Sequence, residues 1–555
     1  MKILFILVLF FIFGFKQQLT YCQVVCNGWI DSDLQVITTP CGENIGNPCQ
    51  TIDQAVETCG NYDTINLYFA QTTKPFIISE NGSFNSINNK TITLNNINNN
   101  NQPILIDLST TTKPFINITP NENNNSNLTN TISINGFTFS NQNIQSSSSS
   151  IIKMVNSNLN MNINNCNFLN NTLGQNGLFY FSSDPNVKNS NVGLISIVNS
   201  NFINNVGNDY SIIYSDYDSH IIIDNCLFKN ISSNKEGAVL DLEKGFTTIT
   251  NSLFQSILLN NKSGANVIFL GTPQPSNDNY LITIDNITIS DSFTGYGIVI
   301  TSLYYTININ NSKFIDNYNF LSIGVFNSII SDININNCIF QDNSNLNSNS
   351  LAKGGAISLI NSPANISNSI FNLNSGNLGG AIYIGNGKLL SNPIVIIGCT
   401  FIDCKGTVDD GDSIFINGST LVEITNSTFT QSTQQKSNQP KNSQVYCQST
   451  SLLLSSLKFI NQSNSDELLT CFNNSNCKII EKSDKQYYNS CNPPNGKNDS
   501  DDSSNNNNEH NHRRLSPLQI FGIVVGSIIV VIIIFLIVVL IYIKVKRNRH
   551  YIPIK

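Results

Sequence analysis

The chain has 555 residues, a formal net charge of −7 and only 12% charged residues against 40% hydrophobic ones. That balance excludes a phosphate-neutralising nucleic-acid binder and gives no strongly steered charged partner. Of four histidines only His220 falls within the repeats described below, beside Ile221 on a strand entry, where it reads as a solvated or loop histidine; no histidine-based catalytic centre, cofactor site or metal site is assigned.

In residues 1–22, Lys2 precedes an apolar run from Ile3 to Phe15 and polar residues follow. The run is too short to anchor in a bilayer, so this reads as a secretory signal peptide. Residues 23–62 show no repeat and hold Cys26, Cys41, Cys49 and Cys59, which in an oxidising compartment form two disulfides with three connectivities open. Thr51 to Gln54 fits a capping box, with Ile52, Ala55 and Val56 on one helical face, so a short helix is expected to cover the end of the repeats. Asp63 to Ala70 then reads as the first inward-facing strand. The stretch 71–130 is less regular and supplies one or two further rungs.

Residues 63–460 carry a unit seen most plainly as INNCIF, Ile335 to Phe340. Twelve copies align on an aromatic slot running from Phe139 to Phe459, with Ile289 in one copy and gaps of 25 to 35 residues. Five and seven positions before the slot stand aliphatic residues, such as Ile335 and Ile333. Side chains alternate faces along a strand, so unbroken extension would drive every ring into water. The residue three before the slot, Asn in most copies and Gly136, Gly398 or Ser456 in the others, resets the parity by entering the left-handed region. Small residues two before the slot, Cys166, Ser200, Cys226, Ser252, Ser312, Cys338, Ser369, Cys399 and Ser427, leave room for the ring. A unit of this length cannot bury its apolar face alone and must stack on its neighbours. Like on like gives an all-β parallel β-helix, its twelve rungs making a column of roughly 60 Å. A β-sandwich does not repeat at this period. Serine rungs separate the slot cysteines by roughly 10 Å, so these read as buried thiols; Cys404 stays unassigned.

Two further motifs recur. FxxN appears at Phe168 to Asn171, Phe202 to Asn205, Phe314 to Asn317, Phe340 to Asn343 and Phe371 to Asn374, and GGAI at Gly354 to Ile357 and Gly379 to Ile382, with Glu236 to Val239 (EGAV) a relative. Together they resemble the repeats of polymorphic outer-membrane proteins, within the pectin-lyase-like group, over about residues 60 to 460. The resemblance implies a right-handed coil with capped ends. No outer-membrane β-barrel signal follows, and the Asn- and Ser-rich composition resembles that of social-amoeba cell-surface proteins. Polar insertions at Ser182 to Asn191, Gly271 to Asn279, Asn343 to Ser350 and Gln431 to Ser443 are expected as projecting loops.

Residues 461–491, with Cys471, Cys477 and Cys491 beside Cys447, read as a disulfide-stapled C-terminal cap. Residues 492–517 form a polar stalk. Within 518–543, Ile520 to Ile543 is apolar or small for 24 residues, long enough for a transmembrane helix. Lys544, Lys546, Arg547 and Arg549 in the tail 544–555 place that end in the cytoplasm.

The expected protein is therefore a single-pass type I plasma-membrane glycoprotein whose ectodomain serves adhesion or binds an extracellular protein or glycan, not an enzyme. Pectin-lyase-like enzymes work on sugars with clustered carboxylates, and Asp409, Asp410 and Asp412 are the local candidates for that alternative or for calcium. A passive coat component is the third reading. Glycosylation sequons include Asn117, Asn170, Asn230, Asn286, Asn365 and Asn417; those in turn ladders, such as Asn286, are expected to be buried and unmodified.

Overall fold

The computed structural model describes most residues from Val25 to Lys482, with gaps mainly between strands, and residues before 25 and after 482 lie outside what is described. The signal peptide, stalk, membrane segment and tail fall there. Among the described residues no helix is long and apolar enough to cross a membrane.

Each turn of the chain visits four sheets in a fixed order. Strand Asn158–Asn164 lies in a sheet of 16 strands (sheet 1), Asn167–Leu169 in one of 14 (sheet 2), Thr172–Leu173 in one of 9 (sheet 3) and Phe179–Ser182 in another of 14 (sheet 4), before Gly193–Val198 returns to sheet 1. Within each sheet neighbours follow sequence order and pair in parallel, as Met161 to Ile195 and Phe168 to Phe202. This is an all-β parallel solenoid of the right-handed type, the hand that parallel crossovers favour. A sandwich of antiparallel hairpins is excluded.

The elbows behave as the repeat requires. The residue three before the aromatic slot has positive φ in all twelve copies, from Gly136 at 79° to Ser456 at 54°. Rings inside stack face to face, Phe139 through Phe254 and then Phe314 through Phe459, with Phe168 and Phe202 at 4.8 Å and Phe314 and Phe340 at 4.7 Å. Each buried ring contributes about 1.5–3 kcal/mol by area, and each stacked pair about 0.5–1.5 more. Outside, elbow asparagines donate to one another from turn to turn, Asn225 Nδ2 to Asn199 Oδ1 at 2.7 Å and Asn286 Nδ2 to Asn251 Oδ1 at 2.8 Å.

The small residues before the slot do more than make room. Ladder bonding lapses at the corner, and there the Cys166 N–H donates to Ser200 Oγ at 3.1 Å and the Cys338 N–H to Ser369 Oγ at 3.1 Å. The FxxN motif has a comparable task at a second elbow, where Asn170, Asn204, Asp316 and Asp342 have positive φ and the next residue turns inward. Asn317 Nδ2 donates to Asn343 Oδ1 at 3.1 Å and Asn343 Nδ2 to Asn374 Oδ1 at 3.0 Å, all three wholly buried. A buried amide survives only when its partners are met, and here the partner is its own copy one turn on. Asn343, expected in a projecting loop, belongs to this ladder, and Ser344–Asn345 after it is a sheet 3 strand.

A third elbow leaves sheet 4 for sheet 1, with Asn361, Gly418 and Ser449 at positive φ. Ile330 occupies the equivalent place at φ 53° and is 45% exposed. A β-branched residue in that conformation is strained by about 1–2 kcal/mol. Ile330→Asn should therefore raise the unfolding free energy by about 1 kcal/mol, read from denaturant midpoints; a loss of stability would show that the side chain packs where its exposure says it does not.

At the N-terminal end α1 (Ile52–Cys59) has the expected capping box, the Gln54 N–H donating to Thr51 Oγ1 at 3.2 Å and the Thr51 N–H to Gln54 Oε1 at 3.4 Å. Ile52 and Ala55 are buried. Asp63–Ala70 does not supply the first strand, however: Val25–Ile30, inside the expected cap, precedes it in sheet 1 and pairs Val25 to Thr64. A Cβ on Gly28 would lie 3.4 Å from Cys59 Sγ, so the helix packs directly on that strand, and the Cys26–Cys59 disulfide joins the two. Cys49 is also disulfide-bonded. The stretch 71–130 adds two sheet 2 strands, Phe76–Ile77 and Ile104–Asp107. At the other end, Leu469–Cys471 and Lys478–Lys482 extend sheets 4 and 1 within the expected cap, and Cys447 is bonded to Cys477.

Candidate functional site

The acidic run singled out from sequence divides. Asp409 and Asp410 lie outside the described residues. Asp412 falls, by register, on the second glycine of the GGAI turns: the Gly355 N–H donates to Gly380 O, and the Gly380 N–H to Asp412 O, each at 2.9 Å. In these turns the first glycine supplies positive φ, 66° at Gly354, 71° at Gly379 and 98° at Gly411. The second is forced by crowding, since a Cβ on Gly380 would stand 2.3 Å from Asp412 O. Asp412 is buried, and its Oδ1 accepts the Gly406 N–H at 3.1 Å. That is a turn-closing carboxylate, not one presented to a sugar.

Other chemistry-bearing residues also resolve into architecture. Asp291, Asp316 and Asp342 fill the second elbow on consecutive rungs, where Asp tolerates positive φ; partial burial, then the charges of Asp342 and Asp291, hold the Asp316 carboxyl above its usual range. Cys447, Cys471 and Cys477 bring their sulfurs within 4.8 Å, but Cys447 is bonded to Cys477 and Cys471 is disulfide-bonded too, so no thiolate is on offer to a metal. Cys166, Cys226, Cys338, Cys399 and Cys404 are free and buried. Asn286, expected to be buried, is exposed; the elbow aims its side chain outward, where Nδ2 donates to Asn251 Oδ1 at 2.8 Å.

A different surface gathers what a ligand needs. On the outer face of sheet 1, Leu194, His220 and Phe246 stand opposite one another on successive strands, and Leu281 follows on the next. Leu194, Phe246 and Leu281 are 41, 37 and 39% exposed, an apolar stripe on a face where polar residues are the norm. His220 is therefore a strand residue, edge-on to Phe246 with centroids 6.4 Å apart, and Phe246 meets Tyr280 at 5.8 Å. The chain enters this stripe through corners rich in carboxylates. Tyr214 Oη lies 3.4 Å from Asp216 Oδ2 and 3.3 Å from Glu243 Oε1, and the Ser182 hydroxyl donates to Asp216 Oδ2 at 3.1 Å. Buried beside them, the Tyr305 phenol reaches Leu242 O at 3.4 Å. Burial pushes that phenol well above its ordinary range, and the charges of Tyr280, Asp218, Asp241 and Glu243 push it further. The signal in the sequence is an outward position, eight before the slot, that is apolar in three of four consecutive copies, Leu194, Phe246 and Leu281, with His220 in the other. Aliphatic and aromatic faces beside acceptor carboxylates suit the C–H faces and hydroxyls of a sugar.

No family model matches the chain, and no curated protein matches it. Among solved structures, the A-module of a mannuronan C-5 epimerase from Azotobacter vinelandii is similar over 78% of this chain and 95% of that one, with a TM-score of 0.30 and 9% identity. At that score and identity neither substrate nor residue roles transfer.

Proposed function

We propose that this protein is an extracellular adhesion or ligand-binding solenoid, held at the plasma membrane by Ile520 to Ile543, and that its ligand is a glycan. The observation that carries this is the exposed Leu194–His220–Phe246–Leu281 stripe bordered by Asp216 and Glu243. Disulfides at both ends of the coil fit passage through an oxidising compartment, and exposed elbow sequons such as Asn286 fit N-glycosylation there. The test is retention of the full-length protein on a panel of immobilised polysaccharides. Phe246→Ala should weaken binding about tenfold or more, near 1.4 kcal/mol, with Asp412→Asn unchanged; equal binding by wild type and Phe246→Ala would remove the stripe from the account. The same panel reads turnover. Product release abolished by Asp216→Asn with Glu243→Gln would replace adhesion by a membrane-tethered polysaccharide-active enzyme.

A further inference from the structure

On sheet 3, Leu258, Phe293 and Tyr318 hold one outward position on the successive strands Leu258–Leu259, Phe293–Thr294 and Tyr318–Asn319, each opposite the next. They are 46, 36 and 37% exposed, so the row is open as it stands. The coil does not require apolar residues there, since Thr172, Ser232, Ser344 and Ser375 hold the same position on other turns. Two residues before each ring the second elbow carries a carboxylate, Asp291 before Phe293 and Asp316 before Tyr318, with Asp342 on the next turn. Earlier turns place asparagine at this elbow and gain by it: Asn204 Nδ2 donates to Asn170 Oδ1 and Asn230 Nδ2 to Asn204 Oδ1, each at 3.0 Å. Ionised carboxylates only accept, so three in succession forgo that ladder and repel at a rung spacing of roughly 4.8 Å. Their side-chain donors, Ser290 and Gln255 on Asp291 and Gln341 on Asp342, are neutral. Asparagine would serve the fold better, and the acids coincide with the exposed rings.

We propose that this three-turn surface docks an arginine-bearing segment of a partner protein. Each turn offers what arginine uses: a ring on which the guanidinium plane and its aliphatic stem can lie, and a carboxylate for the fork. The two features act on one another, since partial burial and then the charges of Asp316, Asp342 and Asp291 push the Tyr318 phenol above its ordinary range. Nearby lysines do not supply the missing counter-charge. Lys313 opens the strand that leads to Asp316, and Lys405 lies three strands beyond Tyr318. After partial burial, the charges that act on Asp316 are those of Asp342 and Asp291, not of either lysine. A neutral glycan has no use for three carboxylates, and an acidic one would be repelled. A second copy meeting this face with its own would set carboxylate against carboxylate. The surface is separate from the sheet 1 stripe, and either can fail alone.

The experiment is titration of the full-length protein, in EDTA and low salt, with a fluorescent peptide of four Arg-Gly repeats, its Lys-Gly counterpart and spermine. The arginine peptide should bind, more weakly as salt rises, with slowed amide exchange at Phe293–Thr294 and Tyr318–Asn319. Asp291→Asn with Asp316→Asn and Asp342→Asn should weaken it about tenfold or more. That variant should fold, because Asn170, Asn204 and Asn230 hold the same elbow, and without peptide it should melt at a higher temperature than wild type. Phe293→Ala with Tyr318→Ala should weaken binding about fivefold with every carboxylate in place. Phe246→Ala should leave peptide binding intact, and the aspartate variant should leave polysaccharide retention intact. The surface is overturned if the arginine peptide does not bind, if the lysine peptide or spermine binds as tightly, or if the variants bind like wild type. Self-association of the wild type that Phe293→Ala with Tyr318→Ala abolishes would overturn it too, giving the row to a second copy.

Discussion

Raising the pH above the ordinary thiol value of 9.0 is expected to destabilise the coil steeply, because burial pushes Cys166, Cys226, Cys338 and Cys399 up to about 11 and Cys404 up to about 12. The folded protein holds these protons more tightly than the unfolded chain does. The corresponding stability is complete below pH 9 and drains away as the pH climbs through 11. Two pKa units are worth about 3 kcal/mol per thiol, on the order of 10 kcal/mol for the four corner cysteines together. A thermal-midpoint series from pH 8 to 11.5 by circular dichroism reads the effect. The control is already written into the repeat, since Ser200, Ser252, Ser312, Ser369 and Ser427 fill the same position. Their hydroxyls bond as the thiols do, Ser200 Oγ to Val198 O and Cys166 Sγ to Asn164 O. Replacing the four corner cysteines by serine should fold and should flatten the alkaline decline, leaving the share of Cys404 and Tyr305. Parallel declines in both proteins would acquit the thiols. Below pH 8 the native five should also resist alkylation, as buried thiols without thiolate character do.

Asn343→Leu is expected to cost about 2–6 kcal/mol although it conserves shape. The Asn343 amide accepts from the Asn317 N–H at 3.2 Å and from Asn317 Nδ2 at 3.1 Å, and donates to Phe314 O at 2.9 Å. Leucine would strand the Asn317 N–H and the Phe314 carbonyl in the interior at about 1–3 kcal/mol each, while Asn317 Nδ2 keeps Ile289 O at 2.9 Å. The outer ladder offers the contrast. Asn337 Nδ2 donates to Asn311 Oδ1 at 2.8 Å but in exposed surroundings, so Asn337→Gly, which keeps the positive φ accessible, should cost under about 1 kcal/mol. Denaturant midpoints compare the two. If the buried and exposed substitutions cost alike, the FxxN asparagine is not a structural rung.

What residues dictate to their immediate neighbours could be read from one copy of the repeat and confirmed in the next. The parity reset at Asn337, the inward pair Ile333 and Ile335, and the ring at Phe340 follow from alternation and from where asparagine tolerates a left-handed backbone, both short-range constraints. The capping box at Thr51 and Gln54 is equally local. Stacking then follows because identical copies can bury their apolar edges only against one another.

Tertiary structure decided whatever depends on the neighbour one turn away. Asn343 looked like the start of a polar loop because its partners, Asn317 and Asn374, are 26 and 31 residues distant. Asp412, in sequence a candidate only for the enzyme alternative or for calcium, lies beside Gly380 by register, and Val25–Ile30 looked like part of a cap until it paired with Thr64–Phe69. The outer faces were least legible: alternation tells which side chains point out, but not whether that side is exposed, as at Phe246, or closed, as at Ser358. Closure depends on what lies over that face in the folded molecule, and no short-range rule carries that information.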